Sequence, residues 1–193
     1  VSSLKRFDIE YFVQHYDSRG YWEANTRIKP EFLIKCLDRF SGRPIVYLDA
    51  DAVVRKPMLL FDNITCDIAV FHCQEAAHFS HRYLTGTLYL SNNDKVRWFL
   101  QRWIEYQKGK ILSVDQDSFE LAINNSENLT IIDLPESYVK IFDRSGEEPV
   151  IEHFQASRRK VKLQRLLKKT RNIIFIAFAL IMLSFLAYKI LNP

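Results

Sequence analysis

The stretch IVYLDADAVV, residues 45–54, decides how this chain is read. Its first four residues are a short apolar run introduced by Arg43-Pro44 and closed by acid, the pattern of a strand buried on both faces. Asp49 and Asp51 follow at i and i+2, so both leave the strand end on the same side and can approach one divalent cation. Carboxylate oxygens suit Mg²⁺ or Mn²⁺, ions that also take phosphate oxygens as ligands. In open α/β sheets the sites lie at the carboxyl ends of strands, which is where this pair falls. The plainer alternative is two solvated carboxylates in a turn.

Outward from this strand, Pro30 opens a predicted helix running to about Phe40, since its missing N–H would be unpaired there anyway. Residues 8–14 (DIEYFVQ), 67–72 (DIAVFH), 83–90 (YLTGTLYL), 129–134 and 149–153 read as strands. Asp94 is the expected N-cap of a helix to Gln107, with Gly109 just past its end, and Asp115 opens another to about Ile123. Trp98, Phe99, Trp103 and Tyr106 recur at helical spacing, which marks a packing face. Strands alternating with helices predict an α/β domain with a mostly parallel sheet flanked by helices.

The net charge of +4 averages two unlike parts. Nine of the 27 Lys and Arg residues lie in 158–193, where there is no Asp or Glu, so residues 1–157 carry 18 basic against all 23 acidic groups. An acidic folded part argues against a nucleic-acid surface. Three cysteines without a CxxC pair exclude a zinc ribbon and read as buried free thiols in a reducing compartment. His72, Cys73, His78 and His81 fit no standard zinc spacing. Residues 173–188 (IIFIAFALIMLSFLAY) are sixteen positions without a charge, spanning roughly 24 Å as a helix. Lys189 can snorkel, and Ile190 and Leu191 extend the run. The preceding RRKVKLQRLLKKTR (158–171) holds eight of the nine basic groups and would stay on the cytosolic side, attracted by anionic headgroups. The expected organisation is a catalytic domain over 1–157, a basic juxtamembrane segment over 158–172 and a transmembrane helix over 173–191. That is a single-pass, tail-anchored membrane protein whose domain faces the cytosol.

An apolar strand followed by DxDxV also resembles the first motif of haloacid-dehalogenase-type phosphatases, where Asp49 would be the nucleophile and Asp51 the general acid/base. That motif lies on the first strand of its fold, whereas here a strand and a helix precede it, and no downstream GDxxxD-like cluster is present.

Five stretches in order resemble the GT-A fold glycosyltransferases that use nucleotide-diphospho-sugars, especially the glycogenin and lipopolysaccharide-galactosyltransferase-like group. They are NTRIKPEFL (25–33), VYLDADAVV (46–54), LTGTLYLSN (84–92), VDQDSFELAI (114–123) and IEHFQASRR (151–159). The resemblance implies a metal-dependent sugar transferase of hexosyltransferase type, with a nucleotide-sugar donor (a UDP-sugar), an unspecified acceptor and Mn²⁺ or Mg²⁺. It makes Asp49 and Asp51 the DxD that holds metal and donor diphosphate, and His153 the third metal ligand. The family's His-x-x-Gly-x-x-Lys reads here as His153, Ala156 and Arg159, with Arg159 against the diphosphate and Ala156 departing from the glycine. Asp115, Gln116 and Asp117 resemble the catalytic DQD facing the donor sugar. Thr85 and Gly86 match a segment that makes room for the donor, and Lys29 a basic residue that reaches it. The family's fold opens with a further strand and loop that cradle the uridine, and nothing before Asp8 supplies both, so the base-binding element is expected to be absent. A non-catalytic GT-A-like binding module tethered to a membrane is the reading from another functional class.

Overall fold

A computed structural model describes residues 1–73, 81–109 and 114–155. Val1–Phe154 make one compact unit and Gln155–Pro193 a second, of which Gln155 alone is described. Ala156, Arg159, the basic segment and the apolar run 173–191 therefore lie outside the described residues. Among the described residues no helix is long and apolar enough to cross a membrane.

The apolar run before the acidic pair forms β1 (Ile45–Leu48), and β2 (Ala52–Val54) follows directly after it. Next come β3 (Ile68–His72), β4 (Tyr83–Leu90), β5 (Ile131–Asp133), β6 (Lys140–Ile141) and β7 (Ile151–His153). The helices are α1 (Ser2–Arg6), α2 (Trp22–Thr26), α3 (Lys29–Arg39), α4 (Asp94–Gln107) and α5 (Asp115–Asn124). One sheet has the order β1-β4-β3-β5 and the other β2-β7-β6. The chain crosses from the first sheet to the second between Leu48 and Ala52, so Asp49 and Asp51 sit at the junction.

Apolar residues cover both faces of the four-stranded sheet. Ile68 and Val70 of β3 and Leu88 and Leu90 of β4 meet Leu33 and Leu37 of α3, Phe99 and Trp103 of α4 and Phe119 of α5. The alternate residues Ala69 and Tyr89 face the second core with Val54, Leu134, Tyr138 and Ile151. This two-sided burial is why the strands read as nearly continuous apolar runs.

The expected mostly parallel sheet is corrected. β4 runs antiparallel to both β1 and β3, and β2 runs antiparallel to β7, with only β3–β5 and β6–β7 parallel. The reason is connectivity, because only the ten residues 73–82 separate β3 from β4, whereas a parallel pair needs a crossover of a dozen or more. The predicted strand over 8–14 is absent: residues 9–19 have no regular structure, and Tyr11 and Val13 are 41% and 65% exposed. Among the described residues no strand precedes β1. The N-cap of α4 is Asn93, whose side chain accepts the Val96 N–H at 2.9 Å, and Asp94 is the first helical residue. The short β2, β6 and α2 lie below the length at which periodicity signals anything. Cys36, Cys66 and Cys73 form no disulfide; Cys36 and Cys73 are buried and Cys66 half-buried, and burial pushes the thiols of Cys36 and Cys66 up to about 11.

Asp67 ties three elements at the edge of this core. Its carboxylate accepts the Thr130 N–H (2.8 Å) and the Asn93 amide (2.7 Å), with the Lys95 ammonium 3.8 Å away. Burial alone would push this carboxyl up, but those hydrogen bonds and Lys95 outweigh it and hold it below its ordinary value. A depressed carboxyl contributes stability above about pH 4 that fades as pH falls through its lower folded value. Asp67→Ala is expected to cost about 2 kcal/mol at neutral pH, with the deficit shrinking in acid, as read by urea denaturation across that range.

Candidate metal centre

The site is built from the ends of four elements. Asp49 and Asp51 flank the crossing between the sheets. His153 closes β7 and is paired directly with Ala52, so the antiparallel register sets the imidazole beside Asp51. One ligand atom each from Asp49, Asp51 and His153 lie within 4.8 Å of one another. Two carboxylates match the oxygen-donor preference of Mn²⁺ and Mg²⁺, the imidazole is a softer third donor, and three protein ligands would leave coordination positions for phosphate oxygens and water.

The third element, β4, is irregular where it meets the site. Val70 pairs with Leu88 and Phe71 with Leu84, so Thr85, Gly86 and Thr87 have no partners on β3. This bulge turns three consecutive residues toward the acidic pair instead of alternate ones. Gly86 accepts the Asp49 N–H at 2.8 Å. A Cβ on Gly86 would stand 2.9 Å from His153 Cε1, 3.1 Å from its Nδ1 and 3.2 Å from Asp49 Oδ2, so only glycine fits without moving both ligands. Thr87 Oγ1 donates to the Tyr138 carbonyl (2.8 Å) and lies 2.9 Å from His153 Nε2. A hydroxyl has one proton, and a carbonyl can only accept. Thr87 therefore receives the Nε2–H, and the Nδ1 lone pair is left on the Gly86 and Asp49 side, as a metal ligand requires. Burial lowers the His153 pKa, and Lys29 adds to it, against the pull of Asp49 and Asp51, so the imidazole is neutral at pH 7.

The fourth contribution is Lys29, the first residue of α3, only 8% exposed. Its Nζ lies 2.7 Å from Asp115 Oδ2 and 3.2 Å from Asp49 Oδ1, and donates to Thr85 O and Oγ1 at 3.0 Å each. Burial opposes the charge, but Asp115, then Asp49 and Tyr47, outweigh it and raise the ammonium well above lysine's ordinary value. Tyr47 donates to Asp49 Oδ1 at 2.8 Å, and burial raises its phenol well above its ordinary value, so it stays a donor. Three carboxylates, Asp49, Asp51 and Asp115, thus gather around one ammonium and one neutral imidazole, an acid-rich set of the kind that divalent cations favour.

Of the residues singled out from the sequence, Asp49, Asp51, His153, Thr85, Gly86, Lys29 and Asp115 meet here. Lys29, expected to reach the donor, has its N–H groups taken up by Asp115, Thr85 and Asp49. Asp115 is buried, held by Lys29 and by the Thr85 hydroxyl at 2.9 Å. Asp117 instead accepts the Val114 N–H at 2.9 Å and lies 3.4 Å from His81 Nδ1, and half-buried Gln116 has no side-chain hydrogen bond among the described residues. Sequence reasoning missed Tyr47 and Thr87. Each was within reach of a period-2 argument, Tyr47 two residues before Asp49 and Thr87 two residues after Thr85.

No protein-family model and no curated protein matches this chain. Its fold is that of solved glycosyltransferases. It is similar to a glycosyltransferase involved in the glycosylation of the major capsid of PBCV-1, with TM-score 0.65 and 14% identity over 84% of this chain and 86% of that one. It is also similar to the glycosyltransferase GlyE of Streptococcus pneumoniae TIGR4, with TM-score 0.50 and 15% identity over 72% of this chain but 39% of that one. This likeness sets aside a haloacid-dehalogenase-type reading of Asp49 at the level of fold.

Replacing Thr87 by Val removes the acceptor for Nε2–H while keeping the volume. The expected result is roughly 10- to 100-fold weaker Mn²⁺ binding, measured by calorimetry, with the fold retained by circular dichroism.

Proposed function

We propose that this chain transfers a sugar from a nucleoside diphosphate sugar, with a UDP-sugar as donor, in a Mn²⁺- or Mg²⁺-dependent reaction. The observation that carries the reading is the convergence of Asp49, Asp51 and His153 on one point of a glycosyltransferase fold. Departure of a nucleoside diphosphate builds negative charge on its phosphates, and a divalent ion held by these three residues would supply the compensating charge there. The residues of the chain do the rest by position. Lys29 and Tyr47 fix the Asp49 carboxylate, Thr87 fixes the His153 ring, and Gly86 lets the two approach, so no reorganisation is needed as charge develops. Asp115 is assigned to the sugar side of the site, where its carboxylate is already held by Lys29 and Thr85.

A cavity of about 730 Å³ reaches this site along the outer edge of β1. Phe7, Phe12, Phe32 and Tyr47 line it, together with Asp49 and Ala50. Flat aromatic walls leading to a metal-binding carboxylate suit a nucleobase followed by a diphosphate. Phe7 and Phe12 of the N-terminal segment would thus form part of the wall that receives the base.

The basic segment and apolar run over 158–191 support a further proposal, that the enzyme works at a membrane with its domain on the cytosolic side. A chain lacking 172–193 is expected to move from the pelleted to the supernatant fraction on ultracentrifugation, and continued pelleting speaks against the anchor.

Incubation of the full chain with UDP-sugars and Mn²⁺ is expected to release UDP, and EDTA to stop it. Asp51→Ala should lower the rate by at least about a hundredfold. Wild-type turnover by that variant would end the metal assignment.

A further inference from the structure

Away from the metal centre, α4 carries a large aromatic residue that the core does not use. Phe99 and Trp103 are buried, whereas Trp98 is 49% exposed. It is nevertheless held in place. The Arg102 guanidinium lies 5.6 Å from the Trp98 ring and 5.0 Å from that of Tyr106, which are one turn to either side of it on α4. Arg102 is itself fixed by the Glu105 carboxylate at 2.8 Å and the Tyr106 hydroxyl at 3.0 Å. A cation packed between two rings at this spacing sets the indole before any ligand arrives.

Trp98 lines a surface cleft of about 600 Å³ together with Lys95 and with Asn125, Glu127, Asn128 and Leu129 from the turn between α5 and β5. That volume falls within the roughly 300–1,000 Å³ usual for small-ligand sites. None of these residues lines the cavity along β1. The turn is as firmly held as the indole. Asn125 Nδ2 donates to the Leu121 carbonyl (2.8 Å), Ser126 Oγ to that of Ala122 (2.7 Å), and the Thr130 N–H to Asp67 (2.8 Å). Asn128 has a left-handed φ of 63°, which asparagine adopts at little cost. The polar groups at the cleft surface are uncommitted. Among the described residues, the Trp98 indole N–H and the side chains of Glu127 and Asn128 have no hydrogen-bond partner.

These groups fit one class of ligand. The face of an indole packs against the C–H groups on one side of a pyranose ring. A sugar hydroxyl both donates and accepts, as the Asn128 carboxamide does, and the Glu127 carboxylate can accept from two neighbouring hydroxyls. Charge narrows the class further. Lys95 has the Asp67 carboxylate 3.8 Å away, and Glu127 adds a carboxylate, so a phosphate or sulfate group would find no excess positive charge here. We propose that this cleft binds a neutral saccharide, with Trp98 as the stacking platform and Glu127 and Asn128 as partners of its hydroxyls. The site is separate from the metal centre and takes no part in bond making. A saccharide is also the class of molecule that the proposed reaction handles, so the cleft would give the enzyme a second grip on a glycan substrate or product.

The test applies the full chain, in EDTA and without nucleotide, to a printed array of neutral oligosaccharides, and titrates the strongest binder by calorimetry. Binding of a pyranose chain is expected, with Trp98→Ala weakening it at least about tenfold and Trp98→Phe keeping part of the affinity. Glu127→Ala removes a side chain that holds nothing in the fold, and should weaken binding severalfold. Circular dichroism and the thermal shift caused by UDP with Mn²⁺ should be unchanged in all three variants. Asp51→Ala should lose that thermal shift and keep the saccharide. An array without a bound sugar overturns the proposal, as does a sugar that Trp98→Ala binds as tightly as the wild-type chain. Loss of the saccharide in Asp51→Ala would place it at the metal centre and end the case for a second site. If the saccharide binds through Trp98 but no UDP is released from UDP-sugars, the transferase reading fails and this site stands.

Discussion

A lysine ammonium buried at the start of α3 is tolerable only because oppositely charged and polar groups close around it, and those groups are the framework of the site. Lys29 joins α3, the end of β1, the bulge of β4 and the start of α5 through Asp49, Thr85 and Asp115. Taking one partner away from such a buried pair costs about 3–5 kcal/mol, since the remaining charge cannot be resolvated. The ammonium at a helix N-terminus is itself disfavoured by the helix dipole. It is retained where two carboxylates need fixed positions, which argues for preorganisation of the site over stability as its role.

The second organising constraint is steric. Asp49 and His153 come from different sheets and approach over a residue without a side chain, Gly86, whose carbonyl also anchors Asp49. The bulge around it answers a geometric problem. A regular strand would direct Thr85 and Thr87 to one face and Gly86 to the other, but here all three serve one locality: Thr85 orients Asp115 and Lys29, Gly86 admits the ligands, and Thr87 chooses the histidine tautomer. The placement of the acidic groups follows from these neutral contacts as much as from the charged groups themselves.

Much of the sheet and helix content was legible because apolar runs and caps are local. IVYL and YLTGTLYL were long enough to identify as strands, α4 was bounded by its periodic aromatics and by Gly109, and Asp49-x-Asp51 marked a candidate metal site by residue type and spacing. The segment over 8–14 misled because β-rich composition forms a strand only where a partner edge pairs with it, and none does. Strand direction is not carried by the alternation of elements, because the ten residues between β3 and β4 are too few for the crossover a parallel pair needs.

By itself the sequence determined the kinds of groups available: two carboxylates at the end of a buried strand, a histidine after a later one, an acidic body and a basic, apolar tail. Those are properties of composition and of periods two and 3.6, which adjacent residues carry. Only the tertiary structure decided that Ala52 lies opposite His153, that Gly86 sits beneath both ligands, and that Lys29 is spent inside the site. Each of those depends on the register between strands distant in the chain, and register is set by packing of two whole sheets, which no local stretch encodes.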